Sequence, residues 1–355
     1  MLEVIAIIIS LFFAMNIGAS GAAASMGIAY GSGAIPRQRH ALILCGVGVI
    51  LGAVIGGGEV VKTISSGIIP TSFISVPIVV IVLFSATFSL FLANMLGIPL
   101  STSEVTVGSV VGVGVAFQAL YVKNLLSIVM FWVIVPIVAF TIAYLFIIVM
   151  HRFNLDKRLN FQGKIITGLL IAAGFFEAFS AGMNNVANAV GPLVSANILS
   201  VSIGTLIGGI FVALGAIFLG RKVIETNGKK ITSFSKIEGL LISGTGATLV
   251  IIASVFGIPV PLTQITTSSI LGIGIAKSGK TVLQQKIVKN MLMVWLISPL
   301  VSLSVSYFLV KLVIENDLYS IFIIISLLIA TIGAISLMKA SNQEKRTIHE
   351  EGGGI

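Results

Sequence analysis

Three asparagines stand close together in an apolar stretch of the chain. Asn184, Asn185 and Asn188 lie in the segment GMNNVANAVGP, which contains no charged residue. An amide oxygen accepts hydrogen bonds or ligates a cation, and an amide N–H donates to an oxyanion. Buried amides need partners, because an unpaired polar group is costly in an apolar environment. The pattern predicts ligands for a cation or an oxyanion, with a structural amide network as the alternative.

Two clusters of hydroxyl and amide side chains each follow a Gly-Ile-Pro triplet. They lie in GIPLSTSEVTVG and GIPVPLTQITTSS. Gly and Pro disfavour a helix by about 1 and 3 kcal/mol relative to Ala, so each triplet predicts an interruption followed by a helix start. Helix N-termini suit anions, whereas carbonyls and C-terminal ends suit cations. The clustered residues are Ser101, Thr102, Ser103 and Thr106 in the first segment, and Thr263, Gln264, Thr266, Thr267, Ser268 and Ser269 in the second. Packing or bonding to a helix carbonyl is the alternative role for each hydroxyl.

Glu104 is an ionisable residue within one of these apolar segments. A charge at such a depth is costly, so a residue of this kind marks a functional site by default. Glu177 is a further candidate, whereas Glu59 lies near the end of an apolar run, where it can reach water. The central parts of these segments contain no Lys or Arg. An anion held there would depend on neutral donors, helix dipoles and a bound cation, which predicts symport.

The composition indicates the kind of structure that must position these groups. Hydrophobic residues make up 57% of the 355 positions and charged residues 9%, and the mean hydropathy is +1.13. Soluble domains differ from this composition. Apolar runs recur near 2–35, 41–60, 73–96, 98–117, 124–150, 165–197, 203–220, 238–256, 258–276, 290–312 and 318–338. We therefore predict an all-α polytopic membrane protein with about 10–12 transmembrane segments.

The basic residues predict the orientation of the chain in the membrane. If the loops alternate between sides, all of the 21 lysines and arginines except Lys62, Lys123 and Lys311 fall on one side. By the positive-inside rule that side is cytoplasmic, which places the amino terminus outside. The net charge of +9 thus reflects topology, and we predict no nucleic-acid partner. Cys45 is the single cysteine, so a disulfide or thiolate cluster within one chain is excluded.

The two halves of the chain repeat each other. Residues Gly97–Ala116 align without gaps on Gly257–Ala276, and Gly18–Gly27 falls on Gly182–Gly191. Each half has five predicted crossings, so equivalent loops should face opposite sides, which is an inverted-topology repeat with its site near the midplane. The predicted divisions are a first repeat at 1–150, a cytoplasmic linker at 151–163, a second repeat at 164–312, an additional helix at 313–338 and a polar cytoplasmic tail at 339–355. Broken or re-entrant helices are expected at 14–35, 97–117, 178–198 and 257–277.

The segment GMNNVANA, residues 182–189, resembles the motif GANDVANA carried by each half of the inorganic phosphate transporter family. The likeness extends over nearly the whole chain through the repeat and the glycine-rich segments. The resemblance implies phosphate uptake coupled to sodium or protons through an inverted-repeat fold. Two departures stand out: Asn185 replaces the motif aspartate, and the first half reads GASGAAAS at Gly18–Ser25. Both motif carboxylates are therefore missing, and Glu104 is a candidate to replace the lost charge.

From these features we predict a transporter, not an enzyme, that imports inorganic phosphate with sodium by alternating access. It would lie in the cell membrane, or in the inner membrane of a cell with two. Sodium is favoured over protons because amides, hydroxyls and carbonyls bind it without a titrating group. The lipid bilayer is the other expected partner, no cofactor beyond the transported sodium is expected, and a homodimer is left open. The predicted phosphate ligands are Ser20, Gly21, Ala22, Ala23, Ser101, Thr102, Ser103, Asn184, Asn185, Thr263, Thr266 and Thr267, and the predicted sodium ligands are Ser25, Glu104, Thr106, Asn188, Gln264 and Ser268.

Three other functions fit parts of the sequence. A proton-coupled phosphate or sulfate permease of the same architecture is the nearest, because sulfate shares the size and tetrahedral shape of phosphate. An enzyme acting on a lipid phosphate would need a nucleophile with a base or a metal cluster, which three dispersed histidines and one cysteine do not suggest. A passive channel is disfavoured by the inverted repeat and by the lack of an evident filter motif.

Overall fold

The computed structural model describes residues 1–95, 101–153, 163–225, 234–279, 286–317, 319 and 322. Within these ranges the regular structure is helical and contains no strand. This confirms the predicted all-α class. The α-helices are α1 (Leu2–Ile17), α2 (Ala23–Ser25), α3 (Gly27–Gly31), α4 (Gln38–Gly56), α5 (Gly58–Ser66), α6 (Val76–Met95), α7 (Thr102–Ala116), α8 (Val122–Arg152), α9 (Lys164–Ser195), α10 (Val201–Leu219), α11 (Arg221–Glu225), α12 (Lys236–Val255), α13 (Leu262–Ser278) and α14 (Lys286–Leu309).

Seven spans in the described part of the chain are long and apolar enough to cross a membrane. Two shorter apolar helices, Val76–Leu92 and Thr102–Ala116, accompany them. The chain is therefore a polytopic membrane protein, as the hydropathy predicts. The seven spans are Leu2–Ser25, Gln38–Gly56, Val122–Arg152, Lys164–Ser195, Val201–Leu219, Lys236–Val255 and Ile297–Ile314.

The order of helices in the first half recurs in the second. Helices α1, α4, α5, α6, α7 and α8 are followed in the same order by α9, α10, α11, α12, α13 and α14, although α9 has 32 residues and α1 has 16. Both α6 and α12 have 20 residues. Pro136 lies inside α8 and Pro299 lies inside α14. The opposite orientation of the two halves in the membrane stays a prediction.

The first predicted interruption, 14–35, is present. Helix α1 ends at Ile17 and continues through a π-helical turn at Gly18–Ala22. After a turn at Met26, α3 ends at Gly31, and Gly33 adopts a φ of +76° that side chains rarely allow. At Gly18 an added Cβ would overlap the Val212 carbonyl. The turn thus brings the α1 backbone against α10.

The predicted interruption at 178–198 is wrong. Residues 164–195 form one continuous helix, α9, which contains Pro192. Here glycine serves close packing, because a Cβ at Gly182 would overlap the Val49 carbonyl and one at Gly191 would lie 2.6 Å from a methyl group of Ile64. Tertiary packing therefore outweighs the helix propensity of these residues, as is common in membrane helices.

The second half is instead interrupted between α12 and α13. Helix α12 ends at Val255, Gly257 has a φ of +70°, and helix α13 begins after Pro261. Of the predicted segment 257–277, only the beginning is non-helical. In the equivalent part of the first half, residues 96–100 lie outside the described ranges, and α7 runs unbroken from its N-cap Ser101.

The chain divides into two compact units, Met1–Ser306 and Tyr307–Ile355. The larger unit has a core of aliphatic and aromatic side chains that includes Phe13, Ile17, Ile64 and Leu83. In the smaller unit a π-helical turn spans Val310–Ile314. Most of the predicted linker, most of the predicted helix at 313–338 and the whole tail lie outside the described residues. The predicted repeat boundaries stay predictions.

Candidate functional site

Asn184 joins three segments of the chain at the break between α12 and α13. Its Nδ2 donates to the Ser254 hydroxyl at 2.9 Å and to the Ile258 carbonyl at 3.0 Å. Its Oδ1 accepts from the Val260 backbone N–H at 3.0 Å and from the Ser103 hydroxyl at 3.5 Å. The side chain is fully buried. Both ends of the amide are thus engaged by protein groups, and Asn184 holds the non-helical connection against α9.

Ser103 and Asn188 extend this network into α7. The Asn188 Nδ2 donates to the hydroxyls of Thr102 at 3.3 Å and Ser103 at 3.2 Å. The Ser103 hydroxyl also reaches the Val260 carbonyl at 3.2 Å. A continuous chain of polar contacts therefore connects α7, α9 and the start of α13, which the sequence predicts to form one site.

Two oxygens beside this network have no hydrogen-bond partner among the described residues. They are Asn188 Oδ1 and Thr106 Oγ1, and both side chains are fully buried. Thr106 lies one helical turn beyond Thr102 and Ser103, on the same face of α7. Unpaired, neutral, buried oxygens are suitable ligands for a small monovalent cation. Both residues are among the predicted sodium ligands.

Two helix N-termini meet at this network. Helix α7 begins after Ser101, whose hydroxyl accepts from the Glu104 N–H at 3.5 Å, and α13 begins after Pro261. The first N–H groups of a helix lack intrahelical acceptors and carry the positive end of its dipole. Together they offer an oxyanion several neutral donors. The groups concerned are the N–H groups of Thr102, Ser103, Leu262 and Thr263.

Glu104 joins the two halves directly. One carboxylate oxygen accepts from Gln264 Nε2 and the other from the Ser298 hydroxyl. Glu104 and Gln264 are equivalent positions of the repeat, separated by 160 residues, and both are buried. Since both carboxylate oxygens are occupied, Glu104 holds α7, α13 and α14 together at the point where the repeats meet.

Asn185 faces the distorted part of the first half. A Cβ added to Gly21 would lie 3.7 Å from Asn185 Nδ2. Asn185 is buried, with 3% exposure, and no hydrogen bond joins its side chain to another described residue. Its amide is therefore available to a ligand, and the bare backbone of Gly21 leaves room beside it. These two residues occupy the equivalent positions of the repeated motif.

The other predicted ligands in the first half lie in helix–helix contacts. Ser20 donates to the carbonyl one turn earlier. Ser25 donates to the Ala22 carbonyl at 2.7 Å, and the Cys45 thiol also contacts that carbonyl at 3.1 Å. Ala22 and Ala23 are fully buried. Their side chains carry no polar group, so any contact with an anion would come from the backbone.

The predicted site hydroxyls of α13 divide between partly buried threonines and buried serines. Thr267 donates to the Thr263 carbonyl at 2.7 Å, as in an ordinary membrane helix. Thr266 donates to Glu177 Oε1 at 3.1 Å. Ser268 and Ser269 are buried, and the Ser269 hydroxyl has no partner within the described residues. Of these hydroxyls, Thr266 is the one that reaches a carboxylate.

Three serines at these contacts escape the sequence-based prediction. Ser254 binds Asn184, Ser298 binds Glu104, and Ser243 lies beside Glu177. The repeat pairs Ser254 with Asn94, so a polar residue at both equivalent positions could have indicated that Ser254 belongs to the site. Ser298 precedes Pro299 as Val135 precedes Pro136, which leaves no polar signal. Serine is too common in membrane helices to identify a site by itself.

The site is electrically neutral or negative wherever the structure describes it. Lys277, near the end of α13, forms an ion pair with Glu238 at the start of α12. In the described stretches around the amide network no Lys or Arg approaches, as expected from sequence. A group of His, Cys, Asp and Glu residues able to hold a metal ion is likewise not found there.

Comparison with known proteins places the chain among oxyanion transporters. The model of the phosphate transporter family matches residues 17–306. A protein of Bacillus subtilis named sulfate permease CysP is 64% identical over 354 residues, which cover 100% of both chains. A putative phosphate permease of Pyrococcus furiosus is 28% identical, over 83% of this chain and 92% of the other.

A solved structure has the same fold. It is described as the sodium-dependent phosphate transporter, and it superposes with a TM-score of 0.75 at 26% identity, covering 88% of this chain and 99% of the other. The agreement supports the overall helix arrangement described above. It also accords with a membrane location.

Proposed function

This chain belongs to the phosphate transporter family, and from that premise we propose that it imports a tetrahedral oxyanion, sulfate in preference to phosphate, together with a cation. The observation that carries the proposal is the meeting of two helix N-termini beside neutral amides, with the nearby carboxylate of Glu104 already engaged. Such a site offers donors and lacks a free acceptor of high charge. The following paragraphs give the support for each part.

Sulfate differs from phosphate in its protons. At neutral pH sulfate carries no proton and only accepts hydrogen bonds, whereas inorganic phosphate always carries at least one O–H that needs an acceptor. A carboxylate supplies that acceptor and repels a proton-free dianion. Here Asn185 stands where the family motif has aspartate, and Gly21 takes the same place in the first half. The exchange of carboxylates for an amide and a glycine favours sulfate.

The relatives point the same way. The protein named a sulfate permease shares far more residues with this chain, over its full length, than the protein named a phosphate permease. Phosphate remains the second candidate, since the family description and the solved transporter both refer to phosphate. The predicted phosphate ligands at the helix starts can bind either anion, because sulfate and phosphate have the same tetrahedral shape and both accept hydrogen bonds from N–H and O–H donors.

The anion would lie among the helix starts of α7 and α13 and the free amide of Asn185. Bringing a dianion into this depth has a large desolvation cost, which a bound cation offsets. Sodium at Asn188 Oδ1 and Thr106 Oγ1 accounts for the two unpaired oxygens beside the anion. Binding of the anion and of the cation would then strengthen each other, as linkage requires.

Reconstituted vesicles test this function. We expect the purified protein to take up radiolabelled sulfate. Unlabelled phosphate should compete at least about tenfold more weakly than unlabelled sulfate, a difference of about 1.4 kcal/mol in binding free energy. Imposed sodium and proton gradients, applied one at a time, show whether sodium, protons or both drive uptake. Competition by phosphate that is stronger than competition by unlabelled sulfate would overturn the choice of sulfate. Uptake that responds to neither gradient would overturn symport.

A further inference from the structure

A second polar site lies in α9 beyond the amide network. Glu177 is 2% exposed, and its Oε1 accepts from Thr266 at 3.1 Å. Its Oε2 has no hydrogen-bond partner among the described residues, and the same holds for the hydroxyl of Ser243, which is fully buried beside the carboxylate. Gly246 of α12 lies against the carboxylate, because a Cβ at that position would lie 3.4 Å from Oε1. Two unpaired oxygens thus lie where α9, α12 and α13 meet.

No basic side chain in the described part of the chain balances this carboxylate. The titratable group that faces it from α4 is Cys45. From α12 and α13 the charged residues are Lys236, Glu238 and Lys277. Lys236 donates to the Thr167 hydroxyl, while Glu238 and Lys277 pair with each other, five residues before Ser243 and eleven residues after Thr266. The neighbouring part of the first half contributes Ser25. An ionised Glu177 would therefore be a buried charge without a counter-ion, which is strongly unfavourable.

From this geometry we propose that Glu177, with Ser243 and Thr266, is a protonation site that carries a proton during transport, in addition to the cation bound beside the anion. A proton on Oε2 removes the buried charge and makes Oε2 an O–H donor, for which the neighbouring Ser243 hydroxyl is the candidate acceptor. The bond formed is O–H at Oε2, with a proton from water on one side of the membrane. The bond is broken by return of that proton to water on the other side.

A proton fits this site better than sodium. Sodium needs several oxygen ligands, and backbone carbonyls usually complete its shell in transporters at unwound segments. The carbonyls around Glu177 lie within the continuous helices α9, α12 and α13, where they accept helical hydrogen bonds. Four side-chain oxygens remain, two of Glu177 and one each of Ser243 and Thr266, too few for a sodium shell without backbone carbonyls. The unpaired oxygens of Asn188 and Thr106 form the contrasting case, because Ser103 connects Asn188 to the non-helical segment 258–261, whose backbone carbonyls lie outside a helix.

The protonation site is connected to the anion site by two helices. Glu177, Asn184 and Asn188 share one face of α9, because they stand at positions i, i+7 and i+11. Glu177 and Asn184 are about 10 Å apart along the axis. Thr266 lies one turn after Leu262 and Thr263, whose N–H groups face the anion. Movement of α13 on anion binding therefore alters the contact between Thr266 and the carboxyl group.

This inference rests on the proposed oxyanion transport, and one experiment separates the two. Wild-type protein and Glu177→Gln are reconstituted and assayed in two ways with labelled sulfate. The first is accumulation driven by an inward proton gradient, and the second is exchange at equal sulfate and equal pH on both sides. We expect Glu177→Gln to lose gradient-driven accumulation at least tenfold while exchange stays within twofold of wild type. Proton uptake on addition of sulfate, followed with a trapped pH dye, is lost in parallel.

Two results would overturn the inference. If Glu177→Gln accumulates sulfate with the same pH dependence as wild type, this carboxyl group carries no coupling proton. If folded Glu177→Gln loses both exchange and accumulation, Glu177 acts in the structure or on the anion. In contrast, wild-type protein that moves neither sulfate nor phosphate refutes the proposed function and not the protonation site alone.

Matched variants control for folding. Glu59→Gln removes a carboxylate from the exposed ion pair with Lys62 and should leave both assays unchanged. Ser243→Ala keeps the carboxyl group and should shift the midpoint of the pH dependence while exchange persists. If Glu177→Gln does not fold, Ser243→Ala decides, because a pH profile identical to that of wild type would contradict the proposal.

Discussion

The two halves of the molecule share a backbone plan but place different chemistry on it. In the second half Glu177, Ser243 and Thr266 form a polar site between three helices. The equivalent positions of the first half, taken from the repeat, are Phe13, Leu83 and Thr106, of which Phe13 and Leu83 are fully buried apolar residues. The amides Asn184, Asn185 and Asn188 likewise correspond to Ser20, Gly21 and Ala24.

This difference assigns separate roles to the halves. In the first half small residues let the π-helical turn pack closely against α10. In the second half a continuous helix, α9, presents the polar face that holds the break before α13. Glu104 and Gln264 are the pair of equivalent residues that touch each other, and there too one is ionisable and the other neutral. Duplication thus supplied the scaffold, and asymmetric substitution supplied the sites.

Copying the carboxylate into the first half should have the largest effect. Phe13→Glu places an acid beside Leu83, with no hydroxyl in the position of Ser243. An uncompensated buried charge costs about 3–5 kcal/mol, so we expect little folded protein in membranes. The amount of monodisperse protein in detergent measures this. Phe13→Leu is the control, and normal yields of Phe13→Glu would contradict the asymmetry.

Making the amide network symmetric should have the next largest effect. Asn184→Ser, which copies Ser20, leaves the Val260 N–H and the Ile258 carbonyl without their partner. Each buried unsatisfied group costs about 1–3 kcal/mol, so the thermal midpoint in detergent should fall and uptake should be lost. Asn16→Ser is the control, because the Asn16 amide bonds to its own helix at an exposed site. Equal midpoints for both variants would refute the role of Asn184.

The closely packed glycines should behave alike in both halves. A Cβ at Gly18 would overlap the Val212 carbonyl, and one at Gly182 would overlap the Val49 carbonyl. We expect Gly18→Ala and Gly182→Ala each to destabilise the protein by about 1–3 kcal/mol, as overpacking does. Thermal unfolding measures both. Gly168→Ala is the control, since its Cβ would meet nothing within 4 Å.

The equivalent threonines should differ by a small amount. Thr266→Val removes the hydrogen bond to Glu177, which should lower stability by about 1 kcal/mol. Thr106→Val removes an unpaired hydroxyl, so it should be neutral in stability but weaken any sodium dependence of transport. Thermal unfolding midpoints of Thr266→Val and Thr106→Val, measured with and without sodium, distinguish the two effects. A larger loss of stability for Thr106→Val would reverse the comparison.

Hydropathy and the repeat were sufficient to predict the helical class, the membrane location and the meeting of residues 101–104 with α13. The continuous α9 was not predictable, because Gly182 and Pro192 signal a break unless the backbones of neighbouring helices are known. The same limit applies to Asn184. Its residue type indicates a polar site, but only its contacts with Val260 and Ser254 show that it holds the backbone in place and does not serve as a free ligand. Ser298 was missed because nothing in its sequence context separates it from other membrane serines.

Anion selectivity tests the central claim, that amides in place of carboxylates select a proton-free oxyanion. Wild type and Asn185→Asp are compared in one vesicle preparation, with labelled sulfate displaced by increasing unlabelled sulfate or phosphate. The wild type should favour sulfate at least tenfold, and Asn185→Asp should move the ratio toward phosphate by at least tenfold, about 1.4 kcal/mol. An unchanged ratio in Asn185→Asp, or a wild type that favours phosphate, would contradict the account.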